Sequence, residues 1–425
     1  MRGLARWCVI AVAAAAAFGP AGCAKKSRVT TPTTRISLFV WVRPAEEAAN
    51  RVLVKEFERS HPDLDVNLIN ESGPDAMRKL QVMIAAGDAP DVMSIHGAMF
   101  VPLAAKGALL DLDPLVKKDP AFNLPDFYPG LLRLCQWQGK LYSLPRYASV
   151  YILFYNKEMF DAAGVPYPKG SWTWDDFLAA AKRLTVKSAN PADRRWGCAI
   201  DFWGARIYPW IWQNGGDVLS PDRKRCVLNS PETMGALQFL VDLKSKWGVA
   251  RPTQPGESRE TREWFRDGKI AMLQSGAWDI QTFQESKALR WEVAPLPRRK
   301  RQATLMGTEN YGIAASTKHP EAAWELFKFL LSPHSQQVMA EKLDKQPSRQ
   351  SVANGPYLAA KVPYNRRVFV EALGYAREAP NIPEWDRIER NIRDQLDKIW
   401  IGEVSVQAGG DAAAAAVTQA LSKRP

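Results

Sequence analysis

VYILFYNKEMFDAAGVPYPKGSWTWDDFLAAAKRLT, residues 150–185, decides the fold class. Its first seven residues, 150–156, are apolar or aromatic up to Asn156 and read as a buried strand. A helix follows, then a Pro-rich turn around Pro166 and Pro168. Thr173 with Asp176 three positions later has the form of a capping box, so a second helix starts there. Strand and helix alternating over short links is the pattern of an α/β fold.

The alternation extends both ways. Upstream, RISLFVWV (35–42) reads as a strand, and Pro44 opens a helix through Glu58 with Ala48, Val52 and Phe57 on one face. HPDLDVNLI (61–69) turns into a second strand, residues 75–87 form a helix stopped by Gly87, and DVMSI (91–95) is a third strand before another helix. This order predicts a parallel sheet covered on both faces. Downstream, RWGCAI (195–200), GKIAMLQSG (268–276) and GIAAS (312–316) read as strands. Ser230 caps a helix with Pro231 at its first position and Gly248 at its stop. Two helices run from Pro320 to about residue 343, and the C-terminal third is helical. Two similar α/β halves are expected, without a short repeat.

The chain begins with Arg2 and Arg6, an apolar run over 7–17, and the small residues Ala21 and Gly22 before Cys23. That is the layout of an export signal, too short to span a bilayer comfortably. The cut resembles a bacterial lipobox, with Pro20 where Leu is usual. On that reading residues 1–22 are removed, Cys23 is lipidated, and 23–35 hold the lipidated cysteine and a flexible tether. An ordinary secretory peptide with Cys23 incidental is the alternative. No transmembrane segment follows the leader.

Net charge is +12 over 425 residues, or about +10 without the leader. The cations are scattered. The densest run, PRRKR at 297–301, reads as a solvated loop, and no nucleic-acid partner is expected. Of five cysteines, Cys135, Cys198 and Cys226 remain after the leader and Cys23. Either Cys198 pairs with Cys226 or all three are buried thiols. There is no CxxC, and neither metal nor cofactor is expected.

Four segments together resemble the extracellular solute-binding proteins of ABC importers, family 1 (sugar type): GDAPDVMSIHGAMFVPLAAKGALLDLDPLV (87–116), the opening stretch extended to 144–185, FRDGKIAMLQSGAWD (265–279), and 294–341 with GTENYGIAASTKHPEAAWELFKFLLS at its centre. They cover nearly the whole mature chain in order. The resemblance implies an α/β fold of two periplasmic-binding-protein-like lobes (type II), with hinge strands between discontinuous lobes and C-terminal helices. It places 36–147 and 308–345 in lobe 1, and 148–307 and 346–425 in lobe 2. Crossings fall near 145–150, 303–307 and Lys345, with ligand held between the lobes.

Ligands of open α/β sheets sit beyond the carboxyl ends of strands. That rule and the resemblance nominate Trp41, Glu46, His96, Gly97, Arg146, Tyr147, Asp201, Trp203, Trp210, Trp278, Asp279, Gly307, Glu309, Asn310, Tyr311 and Arg349. The resemblance in particular makes Trp278 and 307–311 contact points and places Arg349 by the third crossing. Sugar hydroxyl pairs suit planar groups such as Asp, Glu, Asn and Arg, and sugar C–H faces stack on aromatic rings. The 16 tryptophans supply ample stacking surface. Structural roles compete: Trp172 and Trp174 flank a helix start and suit packing, His96 suits a helix cap, Tyr147 hinge packing, and Glu309 a hinge ion pair.

The implied function is capture of a sugar or oligosaccharide and delivery to an ABC permease. The protein would be a monomer anchored by lipid in the periplasm or on the outer face of the cell membrane. Polyol phosphates and then polyamines rank behind sugars as ligands. A secreted glycosidase needs two carboxylates across the scissile bond; Asp175 and Asp176 read as a helix start, and HExxH and GxSxG are missing.

Overall fold

The computed structural model describes residues 33–422 apart from 43, 74, 203, 361–363 and 381. The leader, Cys23, most of the tether and Trp203 therefore lie outside the described residues.

β1 (Thr34–Trp41) lies parallel to both β2 (Leu64–Glu71) and β3 (Val92–His96), as the alternation predicts. Helices Pro44–Ser60 and Ala76–Ala85 make the crossovers. A small hairpin of β4 (Gln136–Trp137) and β5 (Lys140–Leu141) leads into β6 (Leu144–Val150). β7 (Ile152–Asn156) starts one residue later and sits between β8 (Met272–Ser275) and β9 (Trp291–Ala294) in a second sheet. β10 (Thr304–Ile313) and β11 (Ala376–Glu378) complete the strands among the described residues.

The larger sheet runs β11-β10-β3-β1-β2, with β6 also on β10. β10 is antiparallel to β3 at its C-terminal half, where Glu309 faces His96 and Ile313 faces Val92. It is antiparallel to β6 along its length, from Met306 opposite Val150 to Tyr311 opposite Leu144, with an irregularity between Glu309 and Asn310. β11 joins its first three residues in parallel. One strand thus belongs to the first lobe at one end and to the connection at the other.

Several expectations change here. The sheets are mixed: β10 closes the first antiparallel, and β8 and β9 flank β7 antiparallel. Residues 195–200 make single bridges, Trp196 to Ile270, Cys198 to Ala250 and Ala199 to Leu273, instead of a strand. The strand expected at 312–316 is β10, which ends at Ile313. The strand therefore also takes in Thr308, Glu309 and Asn310, part of the 307–311 stretch nominated above. In the fold two of their polar atoms find partners: Thr308 Oγ1 donates to the Tyr147 carbonyl at 2.7 Å, and the Cys135 thiol lies 3.4 Å from Asn310 Oδ1. A buried strand tolerates polar side chains when they are hydrogen-bonded.

The helices of the opening stretch fold as read, while the strand expected over 150–156 is split, Val150 ending β6 and Ile152 starting β7. Thr173 Oγ1 accepts from Asp176 N–H at 3.2 Å, and Asp176 Oδ2 accepts from Thr173 N–H at 2.8 Å. Trp174 behind the cap stacks on Phe239, with ring centroids 4.5 Å apart, and donates to Gln213 Oε1 at 2.7 Å. It is core, as expected of a packing residue. Ile388, Ile392, Leu396 and Trp400 line one face of the helix Trp385–Ile401 and join Trp174, Trp210 and Leu237 in the second lobe's core. Each such side chain contributes roughly 1.5–3 kcal/mol by leaving water. Cys135, Cys198 and Cys226 are free and buried, which settles the alternatives for 198 and 226 in favour of thiols. Burial pushes the Cys226 thiol up to about 11, so it is chemically quiet at neutral pH.

Candidate site between the lobes

The crossing strands bring several nominated residues together. On β6, Arg146 and Tyr147 are buried; Glu309, opposite Tyr147 on β10, is partly open. The Arg146 guanidinium lies 3.5 Å from Glu309 Oε2, and its Nη2 donates to Asn50 Oδ1 at 3.1 Å. It also sits 4.5 Å from the Tyr147 ring centre and 5.1 Å from that of Tyr311. Burial works against this charge, but Tyr147, Tyr311, Glu46 and Glu309 outweigh it, and the Arg146 pKa is raised. Burial first, and nearby Glu46 among other groups, pushes the Tyr147 hydroxyl well up. Arg146 is therefore a fixed cation beside neutral phenols across the physiological range. Glu46, 3% exposed, binds Lys345 at 2.5 Å. Lys345 was placed at the third crossing but not in the site, and Asn50 was not nominated: it lies one helical turn past Glu46, which is the signal that could have found it.

Beside this floor are the carboxyl ends of β1 and β3. The Trp41 and His96 rings meet edge to face, 5.9 Å apart at 73°. His96 caps the helix Gly97–Ala105, its Nδ1 accepting from Ala98 N–H at 3.4 Å. Gly97 is needed at that point because a Cβ would lie 2.9 Å from the Thr308 carbonyl oxygen, below any normal contact. The helix start can thereby lie directly against β10. Gly307 pairs with Ser149 and has open space where a side chain would be.

The second lobe presents Trp278 and Asp201 at its end of the crossing. Trp278 follows β8, whose Ser275 pairs with Ile152 at the start of β7. Its ring meets Tyr151, the residue between β6 and β7, at 5.0 Å and 77°. Asp201 forms an ion pair with Arg206, and Arg206 also bonds Tyr151. Tyr151 and Arg206 were not nominated. Tyr151 sits in an apolar run that reads as strand, and Arg206 stands in the short 3-10 helix Gly204–Ile207.

Three nominated residues occupy other places. Trp210 is 1% exposed, packed on Trp174 and Phe177, with Nε1 donating to Gln274. Asp279 is 1% exposed, 3.2 Å from Arg262, and accepts from the Ser275 hydroxyl. Arg349 is 3% exposed. Its guanidinium donates to the carbonyls of Leu331, Phe122 and Asn123 and to Asp126 Oδ2. Just past the third crossing, Arg349 and Gln350 hold the chain to segment 122–127. Tyr364 and the helix Arg367–Ala372 join the cluster containing Phe154 and Trp291. A cavity of about 800 Å³ lined by Asn156, Glu158, Arg183 and Arg266 lies at the far end of β7 and contains none of the nominated residues. Among the described residues no cluster of His, Cys, Asp and Glu could hold a metal ion, and no helix is long and apolar enough to cross a membrane.

Comparison with known proteins agrees with this architecture. A family model described as bacterial extracellular solute-binding protein matches residues 43–337. The galactooligosaccharide-binding protein of Bacillus subtilis is 24% identical over 96% of this chain and 95% of its own. An ABC substrate-binding protein of Listeria monocytogenes, solved with cycloalternan, superposes with a TM-score of 0.83 at 28% identity, covering 92% of this chain and all of that one. The GacH receptor of Streptomyces glaucescens, solved unliganded and with acarbose, gives a TM-score of 0.79 at 27% identity over 92% and 99%. These are two-lobed type II binding folds, and this chain is one of the bacterial extracellular solute-binding proteins.

Proposed function

We propose that this protein captures a sugar or oligosaccharide between its lobes and hands the closed complex to an ABC permease. The observation that carries the reading is the pairing of an aromatic wall, Trp278 with Tyr151, and a polar floor, Arg146 with Glu309, at opposite ends of the crossing strands. An indole suits the apolar face of a pyranose, and the partly open Glu309 carboxylate, held by the buried Arg146, suits adjacent hydroxyls. The relatives' named ligands, galacto-oligosaccharides, cycloalternan and acarbose, are of this class. No bond in the ligand is broken; preferential affinity for the closed form does the work.

Trp41, His96, Gly97, Gly307, Asn310 and Tyr311 flank or support this site. Trp203 and the lipid on Cys23 complete the proposal outside the described residues. The acyl anchor would hold the monomer at the outer face of a membrane.

A thermal-shift screen over mono- and oligosaccharides, polyols, their phosphates and polyamines tests the reading. A sugar present at 100 times its Kd adds about 2.7 kcal/mol to the folded state, so the melting temperature rises. No response to any sugar together with a clear response to spermidine would overturn it. Release of reducing ends from oligosaccharides would favour an enzyme instead.

A further inference from the structure

We propose that Gly276 is a positioning residue for the ligand: by having no side chain it lets the Trp278 indole lie against the main chain and so fixes the plane on which a sugar stacks. This rests on the carbohydrate reading above.

The backbone does not ask for glycine here. Gly276 has φ −141° and ψ −176°, extended values that any residue adopts. The demand comes from space. A Cβ on residue 276 would stand 2.7 Å from Trp278 Cε3, and closer still to Cζ3 and Cη2. Carbon atoms pack at about 3.5–4.0 Å, so a methyl group and the ring cannot both keep their places.

The rest of the ring's surroundings are tied to the crossing strands. Tyr151, edge-on to the indole at 5.0 Å, is held on both sides of its residue: its N–H donates to the Leu305 carbonyl at 3.3 Å, and its own carbonyl accepts from Thr304 Oγ1 at 2.6 Å. Below, Ser275 is paired with Ile152, and the turn that carries Trp278 is closed by Asp279 N–H donating to the Gly276 carbonyl at 3.1 Å. The indole is thus set between Gly276 and Tyr151 and takes its orientation from β7, β8 and β10, while remaining only half-buried. Stacking depends on ring offset at the scale of a fraction of an ångström. A methyl at 276 would rotate the plane without touching any polar ligand contact.

The experiment is a double-variant cycle of Gly276→Ala and Trp278→Ala, with two readouts. The first is the 19F spectrum of protein carrying 5-fluorotryptophan, the Trp278 line being the one lost in Trp278→Ala. The second is binding of maltotriose, galactotriose and cycloalternan by calorimetry. In Gly276→Ala the Trp278 line should move while the other tryptophan lines stay. Affinity for whichever probe binds should fall about tenfold. The double variant should bind no more weakly than Trp278→Ala alone, and should recover thermal stability lost in Gly276→Ala. An unmoved Trp278 line, or an equal loss from Gly276→Ala with and without the indole, overturns the proposal. If Trp278→Ala binds like the wild type, or no probe binds, it is the carbohydrate reading of this wall that fails; the 19F line still decides whether Gly276 sets the ring. Should Gly276→Ala fold poorly, the double variant's recovery decides the same point.

Discussion

Lys345 Nζ lies 2.5 Å from Glu46 Oε1, with both side chains nearly out of solvent. The same ammonium is 5.0 Å from the centre of the Tyr147 ring. A residue just beyond the helix Pro333–Leu343 is thereby joined to the helix Pro44–Ser60 directly over β6. Removing one partner leaves a buried charge, and Lys345→Met should cost about 3–5 kcal/mol. The double variant Glu46→Gln with Lys345→Met should be clearly more stable than Lys345→Met. Urea unfolding of the wild type and both variants measures this; a double variant at least as unstable as the single would show that the pair is not the linkage.

Trp278 and Trp172 separate ligand contact from packing. Trp172 packs on Phe160 beside the second lobe's core, at 6.3 Å. Trp278→Ala should weaken sugar binding about tenfold or more, about 1.4 kcal/mol per tenfold. Trp172→Ala should chiefly lower the melting temperature. Equal losses of affinity would put the cleft elsewhere.

Arg349 is a test of what burial does to an inherited expectation. Four carbonyl or carboxylate partners surround it, and burial first among the causes lowers its pKa. Arg349→Met should destabilise the protein by about 3–5 kcal/mol and leave the Kd of the folded fraction as it was. A loss of affinity with stability intact would return Arg349 to the binding site.

Asp119 gives a signed pH dependence. The hydrogen bond from Lys328, at 2.7 Å, is the main reason its carboxyl stays below the usual range, with help from Trp324. A depressed folded pKa contributes stability above the unfolded value of about 3.9, and that contribution is lost as pH falls through the folded value. Asp119→Asn should therefore melt below the wild type at pH 7, and the gap should close as the pH falls through the lowered carboxyl range of the folded state. A gap independent of pH would mean that shape, not charge, is what Asp119 supplies.

Local rules were legible in the sequence. The Thr173–Asp176 box, the Ser230 cap and the strand–helix order of the first lobe need only neighbours within a few residues, and they formed as read. So did the α/β class, because hydrophobic period and capping act along the chain. What the sequence left undecided involves partners distant in the chain. That the strand expected at 312–316 starts as early as Thr304 depended on β3 and β6 lying alongside to pair with it. Whether Arg349 faces ligand or core depended on segment 122–127 folding over it. Charge and aromaticity say what a side chain can bind. Only the packing of remote segments decides whether protein or ligand gets there first, because a buried polar group must be satisfied by whatever the fold places beside it.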